Sequence, residues 1–181
     1  MGKMIDGRWT TDDELERSED DDYRRTETTF RDWITADGSE GPDGQHGFEA
    51  LPDRYHLYVA VNCPWCHRTM LYRNLKNLED LVGLSMVRPT RTDQGWVFDS
   101  DGEYAEDVYG SEAVHELYRR ADDSYTGRVT VPVLWDKERE TIVNNESADI
   151  IRMLDSAFLE YADPSPTYYP DELRPEIDRI N

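Results

Sequence analysis

The sequence predicts an α/β fold, a mixed four-stranded sheet built in the order β-α-β-α-β-β-α and preceded by an N-terminal extension. Three observations predict it. The apolar run Tyr55-His-Leu-Tyr-Val-Ala-Val61 reads as a buried strand. Both cysteines of the chain follow at once, at CxxC spacing in Asn62-Cys-Pro-Trp-Cys-His-Arg68, and open a helix. Farther on, Pro132 interrupts the Val-rich segment Val129-Thr-Val-Pro-Val-Leu-Trp135, where a ladder donor is missing and an edge or an unusual bond is expected.

The elements can be justified in order. Residues 1–50 are polar and acidic, including Ser18-Glu-Asp-Asp-Asp22, and read as an arm wrapped on a core through Trp9, Phe30 and Trp33. A disordered acidic tail is the alternative. The stretch Ala36–Gly47, rich in Gly, Asp and Pro, reads as loop. The domain proper is expected over residues 51–162. After the strand at 55–61, the helix from Pro64 is expected to turn Leu71, Leu75 and Leu78 to one face. Leu84-Ser-Met-Val87 is a second strand. A long polar connection, Arg88–Gly127, holds one helix, Glu112–Arg120, with Val114, Leu117 and Tyr118 at helical spacing; a connection of that length is uncommon unless it is functional. Val129–Trp135 and Thr141–Val143, joined by a turn at Asp136–Glu140, form a hairpin. Glu146–Phe158 is a helix with Asn145 as its cap. Residues 163–181 read as a linker and the start of a further helical domain, with Leu173, Ile177 and Ile180 on one face.

A CxxC after the first strand makes this the thioredoxin-like arrangement. In such folds the proline before the third strand is cis and faces the active cysteine, so that the residue before it, here Val131, presents its backbone to a bound peptide. An X-Pro bond tolerates the cis form at a cost of only about 0.5–1 kcal/mol.

Charge narrows the function. Asp and Glu number 40 against 20 Lys and Arg, a formal net charge of −20, with a sequence pI near 4.4. Such a surface repels phosphate backbones and anionic lipids, which excludes nucleic acid and membrane surfaces as partners. The acidity is spread along the chain, which suits solvation in a high-salt, screened cytoplasm and a halophilic source. No apolar stretch is long enough to span a bilayer, and the first residues lack a signal-peptide core. Two cysteines in one CxxC fit redox chemistry in a reducing cytoplasm.

The chemistry centres on Cys63. A cysteine at a helix N-terminus meets unsatisfied N–H groups and the positive dipole end, and its pKa can fall to roughly 3.5–7.5. That makes Cys63 a candidate thiol nucleophile. Cys66, one turn on, is either a resolving thiol or a small, inert, buried residue. The charges of His67 or Arg68 can assist ionisation, or the two can simply face solvent. A zinc site is not expected, because Cys63, Cys66 and His67 crowd one helix start with no second cluster elsewhere.

Asn62-Cys-Pro-Trp-Cys-His-Arg68, Gly95-Trp-Val-Phe98, Arg128-Val-Thr-Val-Pro-Val-Leu-Trp-Asp136 and Asn145-Glu-Ser-Ala-Asp-Ile-Ile-Arg-Met-Leu154 together resemble the glutathionyl-hydroquinone reductases, the Xi class of glutathione transferases. Phe30-Arg-Asp-Trp-Ile34 is similar to their N-terminal arm, and the resemblance runs from about residue 30 to the end. It implies glutathione or a related γ-glutamyl thiol as cofactor and a quinone-derived aromatic as substrate. It implies Cys63 as nucleophile and Trp96 packed against the tripeptide. Arg128, Val129, Thr130 and Val131, before Pro132, would contact its backbone, and Glu146 with Ser147 would hold the γ-glutamyl end. A helix start with Ser147 suits a carboxylate, and Glu146 suits an ammonium. Two departures stand out. Cys66 occupies a position that is often alanine in the family, so a dithiol, glutaredoxin-like cycle through Cys63 and Cys66 is the alternative chemistry. The family also continues into an all-helical domain that this chain only begins, which leaves open a non-catalytic thiol-binding module and an exposed seam favouring a homodimer.

Overall fold

A computed structural model describes residues 2–11, 28–162 and 166–180. The elements in chain order are β1 (Lys3–Ile5), β2 (Arg8–Thr10), β3 (Trp33–Thr35), β4 (Gly47–Glu49), β5 (Tyr55–Ala60), α1 (Pro64–Leu75), β6 (Val82–Val87), α2 (Val114–Ala121), β7 (Gly127–Arg128), β8 (Val133–Asp136), β9 (Thr141–Asn144), α3 (Ser147–Ser156) and α4 (Arg174–Ile180). A short 3-10 turn, Gly102–Tyr104, interrupts the long connection before α2.

Four strands form the main sheet in the order β6-β5-β8-β9. β5 and β6 run parallel, Tyr55 opposite Val82 through Ala60 opposite Val87, so α1 must serve as the crossover between them. β8 lies antiparallel to β5, and β9 antiparallel to β8. β5 is buried at every residue, as a central strand covered on both faces should be. The thioredoxin-like arrangement follows, with α1 and α3 packed on each other and α2 against β9.

The sequence period of α1 is right, but its phase is not. Cys66, Thr69 and Arg73 turn inward, an i, i+3, i+7 row. Leu71 and Leu75 remain 45% and 47% exposed, and Leu78 is buried only beyond the helix end. Arg73 fixes this phase: its guanidinium donates to the carbonyls of Val82 (2.7 Å) and Glu79 (3.0 Å), satisfying buried backbone at the start of β6. At α3 the cap is Glu146, whose carboxylate accepts from the Ala148 N–H, and not Asn145. Asn145 turns its amide inward instead, donating to the Tyr118 hydroxyl at 3.0 Å. The Val-rich segment becomes strand only at Val133, leaving Val129–Pro132 outside the strands, with a bend at Val131. The Val131–Pro132 bond is cis. Val114, Leu117 and Tyr118 of α2 are buried as expected.

The described part of the N-terminal arm does pack on the core. β1 pairs with β2 and, on its other edge, with β7, Lys3 opposite Arg128 and Met4 opposite Gly127. The turn between β1 and β2 needs Gly7: its φ is +70°, and a Cβ there would stand 1.8 Å from the Asp123 carbonyl oxygen. Trp9 stacks on His115 at 4.9 Å, and Phe30 meets Tyr118 and Tyr125. Trp33 is buried in β3, which pairs in parallel with β4. The acidic run Ser18–Asp22 lies outside the described residues.

One buried ion pair closes the end of the sheet. Arg54 donates through Nε (3.0 Å) and Nη2 (2.6 Å) to Oδ2 of Asp136, with side-chain exposures of 6% and 0%. Oδ1 of Asp136 accepts from the Glu138 and Arg139 amides and so shapes the β8–β9 turn. Removing one partner strands a buried charge. Asp136→Ala is therefore expected to destabilise the fold by about 3–5 kcal/mol in urea unfolding; a loss under about 1 kcal/mol would contradict this reading of the pair.

Candidate active site

Cys63 is the N-cap of α1, with extended backbone angles that leave its sulfur at the helix start. Pro64 follows at the first helical position, where its missing N–H costs nothing. The side-chain amide of Asn62 donates to the Pro89 carbonyl at 2.8 Å and ties the CxxC turn to the loop after β6. The thiol of Cys63 points at the Val131 carbonyl across 3.7 Å, beside the cis proline.

The pKa of Cys63 is lowered from 9.0 to about 6. The first cause is the hydrogen bond from the Cys66 thiol; the amides of Cys66 and Trp65 and the charge of Arg91 add to it, against a desolvation that opposes it. Cys66 is fully buried and its thiol is pushed far up, first because it donates to Cys63 and second by burial. The two shifts run in opposite directions, so the proton shared by the pair sits on Cys66.

Two clefts flank this turn; Trp65 lines both, and Cys63 lines the second and faces the Val131 carbonyl of the first. One, of about 510 Å³, is lined by Trp65, Arg68, Thr130 to Pro132 and the start of α3 at Glu146 and Ser147. Ser147 is the first residue of α3, where free N–H groups and the dipole favour an anion. Arg68 reaches across from α1, donating to the Ser147 hydroxyl at 3.0 and 2.7 Å and standing 3.7 Å from Glu146. Asn145 lines the same cleft, and its buried Oδ1 has no hydrogen-bond partner among the described residues. Arg31, paired with Asp149 at 2.6 Å, lies at the rim. The second cleft, of about 600 Å³, contains Cys63, Trp65, Pro89, Arg91 and Trp96.

The structure therefore brings Cys63, Thr130, Val131, Pro132, Glu146 and Ser147 together, and places Trp96 on the other flank of Cys63. Cys66 backs the sulfur from the core. Val129 is buried and shares a third cavity with Trp96 and Trp9. Arg128 lies in β7 beside β1 and lines neither of the two clefts. His67 is exposed, and Arg68 is turned to Ser147, so neither supplies the charge that acts on Cys63. Arg91 does, and the sequence reading missed it. Its sole sequence signal is a cation two residues after a proline in a chain dominated by acid. Among the described residues no group of three His, Cys, Asp or Glu could hold a metal ion, and no helix is long and apolar enough to cross a membrane.

A thioredoxin-like domain whose first helix starts at a cysteine opposite a cis proline defines the class. The chain belongs to the glutathione S-transferase N-terminal-domain family, whose model matches residues 62–157. It is 46% identical over 183 residues to glutathionyl-hydroquinone reductase YqjG of Escherichia coli (strain K12), covering 100% of this chain and 56% of that protein. It is 41% identical to glutathionyl-hydroquinone reductase PcpF of Sphingobium chlorophenolicum, covering 100% and 55%. Among solved structures, glutathione-bound YqjG, described as a glutathione transferase homolog from Escherichia coli K-12, superposes with a TM-score of 0.84 at 45% identity, over 99% of this chain and 53% of that one. A Xi-class glutathione transferase from Natrialba magadii gives a TM-score of 0.81 at 40% identity, over 99% and 52%. The chain spans about half the length of the curated relatives it matches.

The proton shared by the cysteines sets a pH test. Cys66→Ala removes the first cause of the low Cys63 pKa, so that pKa should rise toward the ordinary thiol range of about 8.5. Alkylation of Cys63 by iodoacetamide near pH 6 should then be slower in the variant than in the wild type, while above about pH 9 the two rates should meet. Equal rates at both pH values would show that Cys66 does not hold the thiolate.

Proposed function

We propose that this chain forms the thiol-binding and nucleophilic part of a reductase that acts on glutathionyl-hydroquinones, with Cys63 carrying the reaction. The observation that carries the reading is the sulfur of Cys63 at the start of α1, in one cleft and 3.7 Å from the Val131 carbonyl that lines the other, with its pKa lowered to about 6. Two relatives that are glutathionyl-hydroquinone reductases support the substrate class, and a glutathione-bound relative supports the thiol.

The residues of the first cleft fit a γ-glutamyl thiol. The unpartnered Oδ1 of Asn145 and the carboxylate of Glu146 suit an ammonium, while Ser147, the α3 N-terminus and Arg68 suit the neighbouring carboxylate. The backbone of Val131, held by the cis Pro132, suits the central peptide. With the thiol anchored so, its sulfur lies against Cys63. The Cys63 thiolate attacks that sulfur, the S–C bond breaks, and its electron pair goes to the ring carbon, which takes a proton as the hydroquinone leaves. A mixed disulfide remains on Cys63. A second thiolate of the same kind attacks its glutathionyl sulfur, releasing the oxidised thiol as a disulfide and restoring Cys63.

A second reading is favoured by the hydrogen bond from Cys66 to Cys63. In it Cys66 loses its proton, attacks the Cys63 sulfur of the mixed disulfide, and frees the small thiol as an internal Cys63–Cys66 disulfide forms, a dithiol cycle of glutaredoxin character.

Intact mass after treatment with oxidised glutathione tests both. The wild type should gain one glutathionyl adduct, and Cys63→Ser should gain none. Cys66→Ser should retain the adduct. If Cys66 resolves, the wild-type adduct should decay to a species two hydrogens lighter than the reduced chain, and the Cys66→Ser adduct should persist. A wild type that gains no adduct would leave the chain a non-catalytic module.

A further inference from the structure

One buried hydroxyl, that of Tyr118 on α2, reaches two separate stretches of the first cleft's wall, Thr130 and Asn145. Tyr118 itself is fully buried and does not line the cleft. Thr130 falls in the stretch Val129–Pro132 that lies outside the strands, so its backbone groups need partners from elsewhere. Tyr118 supplies both. Its O–H donates to the Thr130 carbonyl at 3.0 Å, and its oxygen accepts from the Thr130 N–H at 3.3 Å. The next residue, Val131, presents its carbonyl to the Cys63 thiol.

The same oxygen accepts from Nδ2 of Asn145 at 3.0 Å, and the Thr130 hydroxyl crowds it at 3.2 Å. A hydroxyl has one proton to give and two acceptor sites. Here the proton goes to the Thr130 carbonyl, and N–H groups fill the acceptor sites. Burial pushes the Tyr118 phenol up, so its proton stays on. The ring cannot drift, because Phe30 meets its edge and Tyr125 lies against it at 5.2 Å. A hydroxyl so saturated can only accept from Asn145. An amide turned the other way would set two oxygens against each other and leave a proton without a partner. Nδ2 is therefore held on the core side. Oδ1, buried and without a hydrogen-bond partner among the described residues, is left for the cleft that Asn145 lines.

The proposed function, on which this inference rests, gives Oδ1 of Asn145 and the carboxylate of Glu146 to the ammonium of the thiol. We propose that Tyr118 is a positioning residue for that end of the ligand: its buried hydroxyl orients the Asn145 amide and ties that orientation to the Thr130–Val131 backbone beside Cys63. A side chain out of the ligand's reach thus sets the preference for a cationic over a neutral end.

The test compares glutathione disulfide with an analogue disulfide in which hydrogen replaces each α-ammonium group. In each, the Cys63 thiolate attacks one sulfur, the S–S bond breaks, and the second half leaves as a thiolate that takes a proton from water. Rates of adduct formation are read by intact mass. Two acceptors face the ammonium, and a hydrogen bond to a charged group is worth about tenfold. The wild type should therefore favour the ammonium-bearing disulfide by about a hundredfold. Asn145→Ala should lower that ratio to about tenfold, and Tyr118→Phe should bring it close to the same value. The double variant should fall no further, since both changes disable one acceptor. Loosening of the fold alone would slow both disulfides together and leave the ratio as it is in the wild type. A wild-type ratio retained in Tyr118→Phe or in Asn145→Ala would overturn the positioning role, and so would a ratio near one in the wild type. Hydrogen exchange gives a reading that needs no variant: the Nδ2 protons of wild-type Asn145 should exchange slowly with solvent, and fast exchange would overturn the role even if Tyr118→Phe does not fold. A wild type that forms no adduct with either disulfide would overturn the functional reading and this inference together.

Discussion

The site depends on one hydrogen bond network, the set of donors that converge on the Cys63 sulfur. A thiol at the start of any helix gains something from free amides and the dipole. Here the first cause is a second thiol, Cys66, which keeps its proton beside the Cys63 thiolate because its donation to Cys63 and its burial both push its pKa up, and which therefore serves as a donor. The position of Cys66 follows from the phase of α1, and that phase follows from Arg73, which binds backbone carbonyls at the β6 entry. A buried arginine far from the cleft thus helps to decide which face of the helix supports the nucleophile.

A strongly acidic surface sets the second constraint. A chain with a net charge of −20 repels an anionic thiol at long range, so the site needs local cations to recover the attraction. The clefts on either side of Cys63 supply them: Arg31, Arg68 and Arg152 around the start of α3, and Arg91 on Trp96. Three of these are matched to carboxylates or hydroxyls that fix their direction. Such organised cations act at contact range, where screening by salt is weakest.

Much of this was legible in the sequence, and the exceptions have physical causes. Cys63, Cys66 and Pro132 announce themselves because CxxC after a strand and proline inside Val-rich sequence each have few structural solutions. The inward face of α2 could be read because Val114, Leu117 and Tyr118 are apolar on a polar helix. α1 defeated the same logic: its apolar Leu71 and Leu75 lie half-exposed while a threonine and an arginine are buried. Hydropathy has no means of seeing an arginine that is inside because its donors are satisfied by backbone. Asn145 was misread as a cap for a similar reason, since its amide is consumed by Tyr118. The β1–β2 hairpin and its pairing with β7 involve strands of two or three residues, too short to show any period. Arg68 and Arg91 act across elements distant in the chain, which no local pattern records.

The central claim is that Cys63 carries a negative charge at neutral pH. It is tested most directly by following the ultraviolet absorbance of the thiolate as a function of pH, for the wild type minus Cys63→Ser. The account predicts a single titration step in that difference centred near pH 6. A step appearing only near the ordinary thiol value, about 8.5 or above, would contradict it.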